Sequence, residues 1–174
     1  MLQLLTDVTD SELMKYDFDV HVDFEPNFGY GKPHEYFSGT VPWFKFRLKN
    51  KINELFTGKS VHKDENLFDY RDVVESRLSR EETRYKEFPC VTPGWDNSPR
   101  RVGKPFYAIV NNTPEMFSYW LKNELARFTP YSDEENFVFI NAWNEWAEGN
   151  HLEPDQKWGK QFLEATKEVI KEGD

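Results

Sequence analysis

Apolar and polar residues alternate most cleanly between Asp17 and Glu25. Phe18, Val20, Val22 and Phe24 fall on one side of an extended chain, and Asp17, Asp19, His21, Asp23 and Glu25 on the other. A period of two predicts a β-strand. Two settings fit it equally: an exposed antiparallel strand with a solvated acidic face, or a barrel strand whose polar face turns His21, Asp23 and Glu25 toward a site near the mouth. Pro26 ends the strand. Upstream, Thr9-Asp-Ser-Glu12 has the spacing of a capping box and predicts a short helix.

Further on, the period changes. Asp69 to Leu78 reads as a helix with Tyr70, Val73, Val74 and Leu78 inward. Phe88 to Thr92 is a short strand, followed by a turn-rich loop from Pro93 to Arg101. Thr113-Pro-Glu starts a helix, because Thr caps it, Pro fits its first turn and the acid meets the positive end of the helix dipole. Phe117, Trp120, Leu121, Leu125 and Phe128 then recur at helical spacing. Phe137 to Ile140 is a continuous apolar run, expected to be a strand buried on both faces. A last helix is expected over about 158–170, with Phe162, Leu163, Thr166, Val169 and Ile170 inward. Residues 26–65 are irregular: Phe28 to Gly31 and Ser38 to Thr40 read as loops, and Val41 to Leu48 alternates weakly. His34, Tyr36 and Trp43 are ligand-contact candidates in this stretch. The order is strand–helix over 17–80, 88–128 and 137–170, which predicts an α/β fold with a parallel sheet and right-handed crossovers.

The chemistry gathers after the Phe137 to Ile140 strand. Trp143, Asn144, Glu145, Trp146 and Glu148 follow it, and Gly149 lets the chain turn. In parallel α/β folds, sites are built at strand C-termini. Glycosidic bond chemistry uses two carboxyl groups, one as acid and one as base or nucleophile. Indole faces suit stacking on sugar rings, and Asn144 suits a hydroxyl. The plainer reading is an acidic loop with two core tryptophans. The Pro93 to Arg101 loop adds Trp95 and Asp96. Its Arg100 and Arg101 suit a donor phosphate, or else a salt bridge to Asp96.

The run NAWNEWAEGNHLEPD at 141–155, followed by WGKQFLEAT, resembles the end of the WbsX-type glycosyltransferase family of bacterial polysaccharide biosynthesis. FDVHVDFEPN and PGWDNSPRR resemble further segments of it. That family is similar to the endo-α-mannosidase and endo-mannanase hydrolases of glycoside hydrolase family 99, which carry a comparable Asn-Glu-Trp-x-Glu-Gly run. The resemblance implies a (β/α)8 TIM barrel. It implies Glu145 as the base toward a sugar 2-hydroxyl and Glu148 as the acid/base at the glycosidic oxygen. It also strengthens Asn144, Trp143, Trp146, Trp95, Asp96 and Glu25 as substrate-binding candidates.

A full barrel takes about 250 residues, whereas the chain has 174. The similarity matches the C-terminal half of the family's domain. Residues 1–174 are therefore expected to form one partial barrel with open strand edges, inviting the N-terminal half-barrel or another chain as partner.

Composition narrows the function classes. The net charge of −9 argues against nucleic acid and other polyanions. Cys90 is the only cysteine, so no internal disulfide forms and a reducing compartment fits. Met1 to Leu5 is too short for a secretory leader, and no apolar run approaches the roughly 20 residues of a membrane span. A cytoplasmic protein is expected. Glu145, Glu148, His151 and Asp155 could be read as metal ligands, but no His-Glu-x-x-His or Cys-pair spacing supports that. No metal and no cofactor is expected. The leading expectation is a glycosyltransferase domain acting on a saccharide or a lipid- or nucleotide-linked sugar in surface polysaccharide (O-antigen) biosynthesis. An endo-mannosidase-like hydrolase and a non-catalytic saccharide-binding fragment are the alternatives.

Overall fold

The computed structural model describes residues 2–5, 19–27, 65–81, 83–101 and 106–173. The helix at Thr9 to Met14, the loop and strand between Phe28 and Leu48, and His34, Tyr36 and Trp43 lie outside them. In chain order the elements are β1 (Leu2–Leu5), β2 (Val20–Asp23), β3 (Glu65–Asp69), α1 (Tyr70–Leu78), β4 (Glu87–Val91), β5 (Trp95–Asp96), β6 (Phe106–Val110), α2 (Pro114–Arg127), β7 (Phe139–Ile140), β8 (Asn144–Glu145), β9 (Asn150–His151) and α3 (Gln161–Gly173).

The main sheet is parallel and ordered β1-β2-β4-β7. Its order follows the chain, with α1 between β2 and β4 and α2 between β4 and β7. The protein is thus α/β with parallel pairing, as the alternating strand–helix pattern requires. A second sheet, β3-β6-β5, pairs β3 and β6 in parallel and β5 and β6 antiparallel. Neither β3 nor β6 stands out as an alternating segment in the sequence.

Local signals set the helices. The Asp69 carboxylate caps α1 by accepting from Arg71 N at 3.0 Å, and Thr113 Oγ1 caps α2 by accepting from Met116 N, with Pro114 in the first turn. Their apolar stripes meet α3 and the sheet in one core. Tyr70 meets Trp120 edge-on at 6.1 Å, and Phe117 meets Phe162 at 5.6 Å. Three expectations about these stripes need correction. Leu125 is 37% exposed and Ile170 53% exposed. The α3 stripe is Phe162, Ala165 and Val169, and Ile170, one residue on, lies about 100° round the helix. Phe128 falls past the end of α2 and packs on Phe88 of β4.

The polar face of β2 is buried rather than solvated. His21, Asp23 and Glu25 are all buried. Arg77 of α1 pairs with Asp23 and Glu25, Arg80 lies 2.9 Å from Asp23 and 2.6 Å from Glu87, and His21 Nδ1 lies 2.8 Å from Glu87 Oε2. Burial alone would raise the Glu87 carboxyl, but the His21 hydrogen bond and Arg80 outweigh it and hold it below the ordinary carboxylate range. Burial lowers Arg77 to about 10.

The Phe137 to Ile140 run is also corrected. Only Phe139–Ile140 is strand, both residues are half-buried, and Phe137 is 50% exposed. Among the described residues β7 pairs on one side only, with β4. Among the described residues, the apolar run therefore lies at a sheet edge rather than at its centre.

Candidate functional site

The chain leaves the C-terminal end of β7 and builds a hairpin. Asn141 N bonds back to Val91 O at 2.9 Å, and Asn141 Nδ2 reaches Glu25 O at 2.7 Å, which ties the exit to β4 and β2. β8 then pairs antiparallel with β9, Asn144 opposite His151 and Glu145 opposite Asn150. The tip is a short 3-10 turn, Trp146–Glu148, closed by Gly149 at φ 56°. Beneath it Asn150 is fully buried. Its Oδ1 accepts from Ala142 N at 3.2 Å and lies 2.9 Å from Thr92 Oγ1. Leu152 N donates to the Ala142 and Trp143 carbonyls, so the hairpin base is closed by backbone as well as by side chain.

The β4 loop packs against this hairpin. A Cβ on Gly149 would stand 3.3 Å from Asp96 Cβ, and one on Gly94 would meet Asn112 Nδ2 at 2.7 Å. Ser98–Arg100 forms a 3-10 turn, organised by the Asp96 carboxylate accepting from Ser98 N at 2.8 Å. That turn aims Arg100 at the hairpin. Arg100 Nη1 lies 2.9 Å from Glu148 Oε1 and 3.7 Å from Glu145 Oε1. One guanidinium nitrogen thus serves both carboxylates. Their Oε1 atoms are therefore no more than about 7 Å apart. The two differ in environment. The Glu148 side chain is 20% exposed and that of Glu145 43%. Burial raises the Glu148 carboxyl above its ordinary value, Arg100 opposes the rise and the Glu145 charge adds to it. An acid with a raised pKa beside a more solvated carboxylate is the asymmetry that acid/base work needs.

The aromatic residues divide. Trp143 is 53% exposed and Trp146 49% exposed, so both lie on the surface rather than in the core. Trp146 stacks on His151, with centroids 3.7 Å apart and planes at 15°, and its Nε1 donates to Glu153 Oε2 at 2.6 Å. Asn144 is exposed on β8. Trp95 is partly buried against the hydrophobic core.

The structure therefore brings Glu145, Glu148, Asn144, Trp143 and Trp146 onto one hairpin, with Asp96 packed under its tip. Glu25 is fully buried beside the exit of β7: its carboxylate pairs with Arg77 at 2.6 Å and accepts from Asn27 N at 2.9 Å, and its carbonyl accepts from Asn141 Nδ2. Arg100 faces the two glutamates rather than pairing with Asp96. His151 and Glu153 enter the site through Trp146, and only their closeness in sequence to Glu148 hinted at this. Among the described residues no group of three or more His, Cys, Asp or Glu could hold a metal ion, and no helix is long and apolar enough to cross a membrane. Cys90 is buried and its thiol pushed up to about 12 by burial, which makes it inert as a nucleophile.

Comparison with known proteins agrees with the motif. The family described as Glycosyltransferase WbsX matches residues 2–166. Two curated relatives, both named uncharacterized protein WxcX, come from Xanthomonas campestris pv. campestris, strain B100 and a second strain. Each is 34% identical over 154 residues, 88% of this chain and 19% of the relative. The chain thus spans about a fifth of the length of the relatives it matches. No solved structure matches it significantly.

Proposed function

The chain belongs to the WbsX glycosyltransferase family, and from that premise we propose that its β8–β9 hairpin carries the acid/base pair of a glycosyl-transfer site working in bacterial surface polysaccharide assembly. One observation carries this reading: Glu145 and Glu148 follow a parallel strand end together, share Arg100 and belong to the same hairpin as two exposed indoles, Trp143 and Trp146. Glu148, with its raised pKa, is the group suited to protonate a leaving glycosidic oxygen. Glu145, more exposed, takes the proton from a sugar hydroxyl. Trp143, Trp146 and Asn144 contact the saccharide. Asp96 shapes the tip from below and Trp95 anchors its own loop in the core, so each supports the site rather than lining it. Glu25 belongs to the ion-pair network under β2.

Transfer and hydrolysis differ only in whether a sugar hydroxyl or water accepts the glycosyl group, and the same pair serves both. We favour transfer because the family is one of glycosyltransferases. The architecture we propose is a portion of a (β/α)8 barrel. The chain-ordered parallel strands and the one-sided edge at β7 support it, and that edge suits either further barrel strands or another chain.

The test is Glu148→Gln in the complete protein. Loss of turnover with saccharide binding retained is expected, whereas an unchanged surface-polysaccharide profile in cells carrying only this allele overturns the assignment. A non-catalytic saccharide-binding role is favoured by the resting Arg100–Glu148 ion pair, which holds the would-be acid next to a cation. Calorimetric binding without turnover in the wild-type protein would select it.

A further inference from the structure

Trp146 combines two properties that usually exclude each other. It is half exposed, and it is held. Its ring lies parallel to that of His151 at 3.7 Å, and its N–H is tied to Glu153 at 2.6 Å. His151 is itself fixed, by pairing with Asn144 across the hairpin and by a 3.2 Å contact from Nδ1 to the Glu153 carbonyl. A core tryptophan is held because neighbours cover both of its faces. A surface tryptophan left to solvent rotates. Here one ring face is covered, the edge is clamped, and half the residue's surface remains accessible.

We propose that Trp146 is a preorganised saccharide-stacking platform, and that His151 and Glu153 are the positioning residues that keep its open face presented. A pyranose ring offers a patch of C–H bonds whose partial positive charge complements the negative face of an indole. Holding the indole in place beforehand removes the cost of immobilising a rotatable side chain on binding. Trp146 lies between Glu145 and Glu148 in the chain. The inference deepens the saccharide reading of this site and rests on it.

The experiment follows the indole N–H resonances of the full chain by NMR while methyl glucopyranoside, mannopyranoside and galactopyranoside are titrated in. The Trp146 signal is identified by its loss in Trp146→Phe. At least one pyranoside should shift it saturably. His151→Ala and Glu153→Gln should each weaken that sugar about fivefold, and His151→Phe, which keeps a ring under the indole, should restore the affinity. If no pyranoside moves the Trp146 signal, the platform is refuted. If both variants lower only the melting temperature and leave the affinity intact, His151 and Glu153 merely clip the hairpin and the positioning role is refuted. Binding here needs no turnover, so failure of the acid/base reading, seen with Glu148→Gln, registers separately.

Discussion

Arg100 Nη1 sits 2.9 Å from Glu148 and 3.7 Å from Glu145, although 45 to 48 residues separate the arginine from the two acids. The guanidinium lowers the Glu148 carboxyl against the rise caused by burial and by the Glu145 charge. Removing it leaves burial and the Glu145 charge opposed by Arg101 alone. Arg100→Gln should therefore move the Glu148 titration to higher pH, and with it the alkaline limb of any activity that needs Glu148 protonated. Carboxyl-selective NMR titration checks the first effect without a substrate, and a pH–rate profile checks the second. Arg100→Lys should lie between the two, since it keeps the charge but loses the planar guanidinium.

Under β2, Arg77 pairs with two buried acids, Asp23 and Glu25, and shares Asp23 with Arg80. Taking away one partner of a buried pair leaves uncompensated charge, which costs roughly 3–5 kcal/mol. Arg77→Ala should lower unfolding stability by about that much. Arg77→Lys should recover part of it. Denaturant melts at neutral pH measure both.

Acid sensitivity should trace to Glu87. Its folded-state pKa lies below the ordinary value, so it contributes stability above the unfolded carboxylate pKa of about 4.3, and that contribution is lost as pH falls through the folded value. Melting temperature should drop as pH falls below that range. Glu87→Gln should be less stable at neutral pH and show a shallower acid decline. An equally steep decline in the variant would assign the effect to other groups.

Gly149 closes the hairpin tip at a positive φ, and a Cβ there would crowd Asp96. Gly149→Ala should destabilise by about 1–2 kcal/mol from the left-handed backbone alone. It should also displace the tip that carries Glu148, so saccharide binding should weaken more than the loss of stability accounts for. Calorimetry alongside thermal melts separates the two effects.

Much of this protein is legible along the chain. Asp69 and Thr113 announce their helices through local hydrogen bonds, and β4 and the Phe117, Trp120 and Leu121 part of the α2 stripe follow from spacing alone. The Glu145 and Glu148 pair is visible because both acids lie in one turn, just past an apolar run. These features depend on residues a few positions apart, and short-range geometry is the same in any fold.

What the tertiary structure decided depends on partners far away in sequence. The alternation of Asp17 to Glu25 shows a polar face but not what it meets; Arg77, 54 residues beyond Asp23, turns that face into a buried ion-pair network. The apolar run at Phe137 to Ile140 marks a strand, while only the fold shows that, among the described residues, it pairs with β4 alone and stays half-exposed. β3 and β6 depend on one another across the sheet. Arg100 becomes the shared counter-ion of the glutamates only because the β4 loop folds over the β8–β9 hairpin. Periodicity records which faces prefer water, but a charge is stable in the interior wherever an opposite charge meets it, and that meeting is a property of the assembled fold.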